Sequence, residues 1–141
     1  MEGIHIDICD VIAADDYRIV ENGLNGFNDN TTGYCDRQPL GVIVRDSHTG
    51  KAQGGMIGRT SLGLMFIDLF WLQPELRFQG LGKEILTRFE SEGKKRGCLA
   101  GVLYTISFQA PEFYRKYGWE VFGEINCQPE GSSRIFMKKT L

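Results

Sequence analysis

The apolar run GLMFIDLFWL at residues 63–72 constrains the fold more than any other stretch of the chain. It stops before Pro74, and its length and aromatic content predict a strand that is buried on both faces. Apolar residues then recur at helical spacing over 81–89, and CLAGVLYTI at 98–106 predicts the next buried strand. A strand, a helix and a strand in this order predict a right-handed parallel crossover.

The segments on either side predict further strands and helices around this crossover. They are a strand at 5–12, a helix at 14–26, a loop at 27–39, a hairpin of strands at 40–46 and 52–60, a short helix at 110–118 and antiparallel strands at 119–125 and 133–140. The 141 residues suit a single domain over 1–141 with one core. The predicted fold class is therefore α/β (α+β), with a mixed, mostly antiparallel sheet around a central parallel crossover and flanking helices.

Charge and cysteine usage exclude several classes of protein. The formal net charge of −2 argues against general binding of nucleic acid, which needs a basic face. The four cysteines form no C-x-x-C pair, so no metal site is expected. No apolar run approaches the ~20 residues that span a bilayer, and the acidic start is unlike a signal peptide. We therefore expect a cytoplasmic protein without a membrane partner.

The stretch RFQGLGKEIL at 77–86 places glycines where a helix begins, although glycine weakens a helix by about 1 kcal/mol relative to alanine. Free N–H groups in a first helical turn attract anions, and missing Cβ atoms allow a phosphate to approach. Arg77 adds a cation. The P-loop pattern fails because Glu84 follows Lys83, and the dinucleotide fingerprint fails because residue 85 is Ile. By itself the pattern equally predicts a tight strand-to-helix turn without a ligand.

Two longer stretches resemble the motifs of one enzyme family. LFWLQPELRFQGLGKEIL resembles motif A of the GCN5-related N-acetyltransferases (GNAT), and SFQAPEFYRKYGWEVFGE resembles their motif B. The resemblance covers roughly residues 40 to 125. The matching positions are Leu72, Pro74, Arg77, Gly80 and Gly82 in motif A, and Ala110, Tyr114, Lys116, Gly118 and Trp119 in motif B.

The resemblance implies a GNAT-like fold that binds acetyl-CoA, with loop amides on the pyrophosphate and a strand backbone beside the pantetheine arm. Many members have Gly where this chain has Phe78, and often Asn where it has Ser107. Both contacts therefore depart from the family pattern. The implied acetyl-CoA-binding residues are Leu72, Arg77, Phe78, Gln79, Gly80, Leu81, Gly82, Lys83, Ser107 and Ala110.

Two residues are candidates for the chemistry. Tyr114 matches the family tyrosine near the CoA sulfur and could protonate the leaving thiolate, or it could simply pack in the core. Asp68 is the one charge in the apolar strand. It could activate the amine, with burial raising its pKa, or it could be structural and pair with Arg59 or backbone amides.

The predicted activity is transfer of an acetyl group from acetyl-CoA to a primary amine of a small molecule, by direct attack in a ternary complex. One alternative is a CoA-binding sensor or interaction module with little turnover. Another is acetylation of a protein or of an aminoacyl-tRNA amine. The expected partner is a small-molecule amine and not nucleic acid, and a homodimer stays open.

Overall fold

The structure, a computed structural model, describes residues 2–141 as two compact units that divide after Cys35. The first unit contains α1, Ala14–Thr32. The second unit contains six strands and two α-helices. They are β1 Gln38–Arg45, β2 Ala52–Ser61, β3 Leu64–Leu72, a 3-10 turn Pro74–Leu76, α2 Leu81–Lys95, β4 Ala100–Ile106, α3 Pro111–Lys116, β5 Glu120–Asn126 and β6 Ser133–Thr140.

The strands form one sheet in the order β1-β2-β3-β4-β6-β5. Only β3 and β4 are parallel, and every other neighbouring pair is antiparallel. The α2 helix connects the parallel pair, as such a connection requires. The predicted fold class, a mixed and mostly antiparallel sheet with a central parallel crossover and flanking helices, is confirmed.

The core lies between α2 and one face of the sheet. Met56, Met65 and Phe89 are fully buried there. Glycine permits the close approach: a Cβ on Gly93 of α2 would lie 2.5 Å from the sulfur of Met65. The prediction that β3 is buried on both faces is wrong, because Leu69 and Trp71 are exposed. A run of apolar and aromatic residues also occurs in a strand that is covered on one face only, when the other face exposes apolar side chains.

The first unit differs from its predicted elements. Residues 5–12 form no strand, because alternation of apolar residues produces a strand only where a neighbouring strand supplies hydrogen bonds. The α1 helix runs six residues past the predicted end and includes part of the predicted loop. Phe27 continues its apolar spacing, and the helix ends at Gly33, whose φ is 82°. No helix among residues 2–141 is long and apolar enough to cross a membrane.

Candidate active site

The two parallel strands part before they end. β3 and β4 pair over four residues, from Leu64 opposite Ala100 to Ile67 opposite Leu103. β3 then continues to Leu72 and β4 to Ile106 without further pairing to each other. Backbone donors and acceptors of 68–72 that face β4 therefore have no partner in that strand. The gap can receive an extended ligand that pairs with the strand backbone.

A β-bulge begins this separation. Ile57 of β2 pairs with Leu69 and Gly58 pairs with Ile67, so Asp68 is the extra residue between them. Bulges bend and twist a strand and are frequent beside active sites. The bulge therefore explains why β3 turns away from β4 where it does.

Asp68 is not the buried carboxylate that the sequence predicted. Its side chain is 44% exposed, and both carboxylate oxygens accept hydrogen bonds from Nη1 of Arg59, at 2.6 and 2.8 Å. The Arg59 guanidinium also lies 4.3 Å from the ring centroid of Phe66. The expected burial of Asp68 is not found, because this face of β3 lies opposite the face covered by α2. The predicted alternative, a pair with Arg59, is what the structure contains.

Beyond β3, the turn into α2 presents free backbone amides. No N–H of residues 78–83 donates a hydrogen bond within residues 2–141. The first intrahelical bond runs from the N–H of Glu84 to the carbonyl of Gly80, at 3.3 Å. These amides lie at the positive end of a 15-residue helix. Such an arrangement favours an anion such as a pyrophosphate.

The two glycines of the turn have different reasons to be glycine. Gly80 has φ 83°, a left-handed conformation, and a Cβ there would meet nothing within 4 Å. It thus shapes the turn and leaves open space above the amides. A Cβ on Gly82 would instead lie 3.0 Å from the ring of Phe113. Gly82 therefore serves the packing of α2 against α3, a role that the sequence reading missed.

Other residues of the turn stabilise its shape. The Nε of Arg77 donates to the carbonyl of Leu72 at 2.9 Å, so part of its guanidinium holds the end of β3. The Gln79 amide donates to the carbonyl of Glu75 at 2.8 Å. Phe78 has φ 63° and a fully exposed ring, which packs on nothing in the described chain. A non-glycine residue held in this region is strained and suggests a functional constraint.

Tyr114 lies in α3 and is buried, with 4% of its surface exposed. Its ring is 5.1 Å from that of Phe113 and 5.9 Å from that of Trp119. Phe113 in turn stacks on Phe70 of β3 at 5.6 Å. Burial raises the pKa of the Tyr114 phenol above its ordinary value. The phenol therefore stays protonated at neutral pH and can donate a proton.

The loop between β4 and α3 forms hydrogen bonds within itself and with β6. The Ser107 hydroxyl accepts the N–H of Ser133 at 3.0 Å, and the N–H of Ser107 donates to the Ser133 carbonyl at 2.8 Å. The N–H of Ala110 donates to the Thr105 hydroxyl at 3.3 Å. Both predicted contact residues thus have structural hydrogen bonds of their own.

The structure brings together one part of the predicted set. The Phe113 ring contacts both Gly82 and Phe70, and so connects the start of α2, the end of β3 and the helix that carries Tyr114. Asp68 lies on the opposite face of β3. Among residues 2–141 no group of three or more His, Cys, Asp or Glu side chains is placed to hold a metal ion.

Comparison with known proteins agrees with this geometry. A profile of the acetyltransferase (GNAT) domain matches residues 42–141. The chain is 26% identical over 132 residues to acetyltransferase Atu2258 of Agrobacterium fabrum, which covers 94% of this chain and 96% of that protein. It is 30% identical over 113 residues to a blasticidin-S acetyltransferase of Streptomyces morookaense, covering 78% and 83% respectively.

A solved structure has the same fold. A crystal structure of an acetyltransferase from Agrobacterium tumefaciens matches with a TM-score of 0.90 at 25% identity, over 98% of this chain and 100% of that one. A sheet that parts beside a helix with free N-terminal amides suits the class of proteins that bind an extended, phosphate-bearing ligand. The profile match decides the family within that class: the chain belongs to the GNAT acetyltransferases and is an N-acetyltransferase.

Proposed function

We propose that this enzyme transfers the acetyl group of acetyl-CoA to a primary amine of a small molecule. The observation that carries the proposal is the run of free amides at 78–83, at the positive end of α2 and directly after the strand that parts from β4. A pyrophosphate suits these amides, and an extended pantetheine arm suits the exposed strand backbone. GNAT acetyltransferases use acetyl-CoA, which supplies both groups.

The proposed reaction is direct attack. The neutral amine forms an N–C bond with the thioester carbonyl carbon, the C–S bond breaks, and the nitrogen loses its extra proton. The CoA thiolate leaves and takes a proton from the Tyr114 hydroxyl, which neutral-pH solvent then restores. A tyrosine phenol is protonated throughout the neutral range, and burial, which raises the pKa of Tyr114, preserves that state.

Asp68 is the proposed acceptor of the amine proton, with the thioester in the gap between β3 and β4, where Tyr114 and Asp68 approach it from opposite faces of the sheet. Arg59 binds both of its oxygens, but each carboxylate oxygen has a second lone pair that can accept a hydrogen bond from an ammonium group. The carboxylate is half-exposed, so a substrate can reach it. Arg59 then acts as a positioning residue that fixes the direction of the carboxylate.

A small-molecule acceptor is supported by the likeness to a blasticidin-S acetyltransferase, whose name gives blasticidin S as the acceptor of that protein. The chain covers most of that relative's length, so the likeness includes more than the donor-binding half. The formal net charge of −2 gives no support to a nucleic-acid acceptor, whose binding needs a basic face.

The test is a turnover assay with acetyl-CoA and two panels of acceptors, one of small primary amines and one of peptides with free N-termini or lysines. Release of free CoA is followed, and the acetylated product is identified by mass. We expect turnover with at least one small amine and little with the peptides. Turnover on peptides alone would overturn the acceptor class. Tight acetyl-CoA binding without turnover on either panel would favour the sensor alternative.

A further inference from the structure

The first helix carries an apolar stripe that remains exposed. Tyr17, Val20, Leu24 and Phe27 recur every three or four residues and so share one side of α1. Their exposed fractions are 57–73%, and no residue of α1 is buried. A helix with such a stripe is normally stabilised by packing it against another surface. The exposed stripe is therefore available to pack against another surface.

The residues before α1 have a second unsatisfied feature. Ile4, Ile6 and Ile8 alternate with polar residues, and all three side chains are more than half exposed. This is the pattern of a strand that is covered on one face, yet no strand forms there. A strand of this kind needs a free sheet edge with which to pair.

The sheet has a free edge on which a strand can pair and an exposed apolar face on which a helix can pack. β1 is the terminal strand of the sheet and pairs only with β2, so its outer edge has unpaired N–H and C=O groups. The face of the sheet away from α2 exposes a row of apolar side chains on its central strands, which are Ile57, Leu69, Trp71 and Tyr104. An exposed apolar face of this extent indicates a binding surface.

The two parts of the chain have formal net charges of opposite sign. Residues 2–35, which we call the N-terminal segment, contain seven acidic side chains and one arginine, a formal charge of −6. Residues 36–141 contain fifteen basic and eleven acidic side chains, a formal charge of +4. Opposite net charge on the two parts of the chain favours their association and opposes contacts between two like parts.

We propose that the protein is a symmetric dimer in which the N-terminal segment of each copy docks on the sheet of the other. Residues 5–12 would pair with the free edge of β1, and the α1 stripe would cover the apolar row of the open face and leave the neighbouring Asp68 carboxylate accessible to the acceptor amine. Each copy presents one donor and one acceptor surface, so a two-fold arrangement covers all four and leaves none open. Only five residues, 33–37, connect α1 to β1, and short connections of this kind favour exchange over folding back.

The first test measures the mass of the protein in solution by light scattering after gel filtration, for the wild type and two variants. Leu24→Glu places a charge in the stripe, and Asn22→Glu places the same charge on the opposite side of the same helix. We expect a wild-type dimer, at least tenfold weaker dimerisation in Leu24→Glu and unchanged dimerisation in Asn22→Glu. A monomeric wild type, or equal dimerisation of the two variants, would overturn the proposal.

The second test needs no variant. The N-terminal segment contains no lysine, so a zero-length carboxyl–amine cross-linker can join its carboxylates only to lysines of residues 36–141 or to the N-terminal amine. Equal amounts of ¹⁵N-labelled and unlabelled protein are refolded together and cross-linked. Exchange predicts mixed isotopes in about half of the links between the segment and the lysines. Links within one isotope only would show that the segment folds back on its own sheet, and would overturn exchange.

Discussion

At the scale of single residues, the proposal depends most on the Tyr114 hydroxyl. Tyr114→Phe removes this group with little loss of volume, so acetyl-CoA affinity should stay at the wild-type value. The turnover number should fall by about 10²-fold, because a general acid typically contributes that much. Steady-state kinetics together with calorimetric binding measure the two effects. Equal turnover of mutant and wild type at every pH would make Tyr114 a packing residue.

The same burial predicts a pH effect on stability. The pKa of folded Tyr114 lies above the ordinary tyrosine value of 10.0, so the folded state holds this proton when the unfolded state has lost it. The stabilisation is complete below about pH 10 and is lost as the pH rises towards the folded pKa. The wild type should lose up to about 1.4 kcal/mol per pH unit more than Tyr114→Phe above pH 10. Parallel urea titrations of both proteins at pH 9–11 measure this difference, and identical slopes would contradict it.

Because Asp68 is half-exposed, a catalytic role and a structural role of this residue have different effects on kinetics and stability. A half-exposed ion pair typically contributes no more than about 1 kcal/mol, so Asp68→Asn should change the melting temperature little. If Asp68 accepts the amine proton, the turnover number of Asp68→Asn should fall at neutral pH and recover in part as the pH rises. A pH–rate profile and a thermal melt separate the roles. Wild-type kinetics with a lowered melting temperature would leave Asp68 a structural partner of Arg59.

At the scale of elements, the contact between α2 and α3 makes Gly82 and Phe113 interdependent. A Cβ at residue 82 would lie 3.0 Å from the Phe113 ring, and overpacking of this kind costs about 1–3 kcal/mol. Alanine also gains up to about 1 kcal/mol of helix propensity over glycine. Gly82→Ala should therefore be more favourable in a Phe113→Leu background than in the wild type, by about 1 kcal/mol. A double-mutant cycle of unfolding free energies measures this coupling, and additive effects would contradict the packing role.

The elements also show what sequence could predict. The run at 63–72, the helix from Leu81 and the strand ending at Ile106 were predicted because periodicity and helix-end residues are local signals. Whether β3 is covered on both faces is not local. Whether residues 5–12 form a strand is not a local property either. Both outcomes depend on which surface packs against the segment. For the same reason the Arg59 pair was one alternative among several, while the contact of Phe113 with Gly82 gave no signal in the sequence.

At the scale of the whole molecule, the resemblance of two stretches to the GNAT motifs indicated the family and the order of the site elements, and the profile match confirmed the family. The separation of β3 and β4 could not be read from the sequence, because a bulge depends on pairing with β2. No local pattern in the sequence specifies the acceptor amine either. We propose that the amides that begin α2 bind the pyrophosphate of acetyl-CoA, whichever amine is the acceptor.

Isothermal titration calorimetry of acetyl-CoA with two aspartate variants tests this claim most directly. Gly80 and Gly97 flank α2, have φ of 83° and 85°, and have open space where a Cβ would stand. Gly80→Asp and Gly97→Asp therefore impose a similar backbone cost and the same charge at opposite ends of one helix. We predict that Gly80→Asp weakens acetyl-CoA binding well over tenfold, more than about 1.4 kcal/mol, while Gly97→Asp binds like the wild type. Wild-type affinity in a folded Gly80→Asp variant, or an equal loss in both, would contradict the claim.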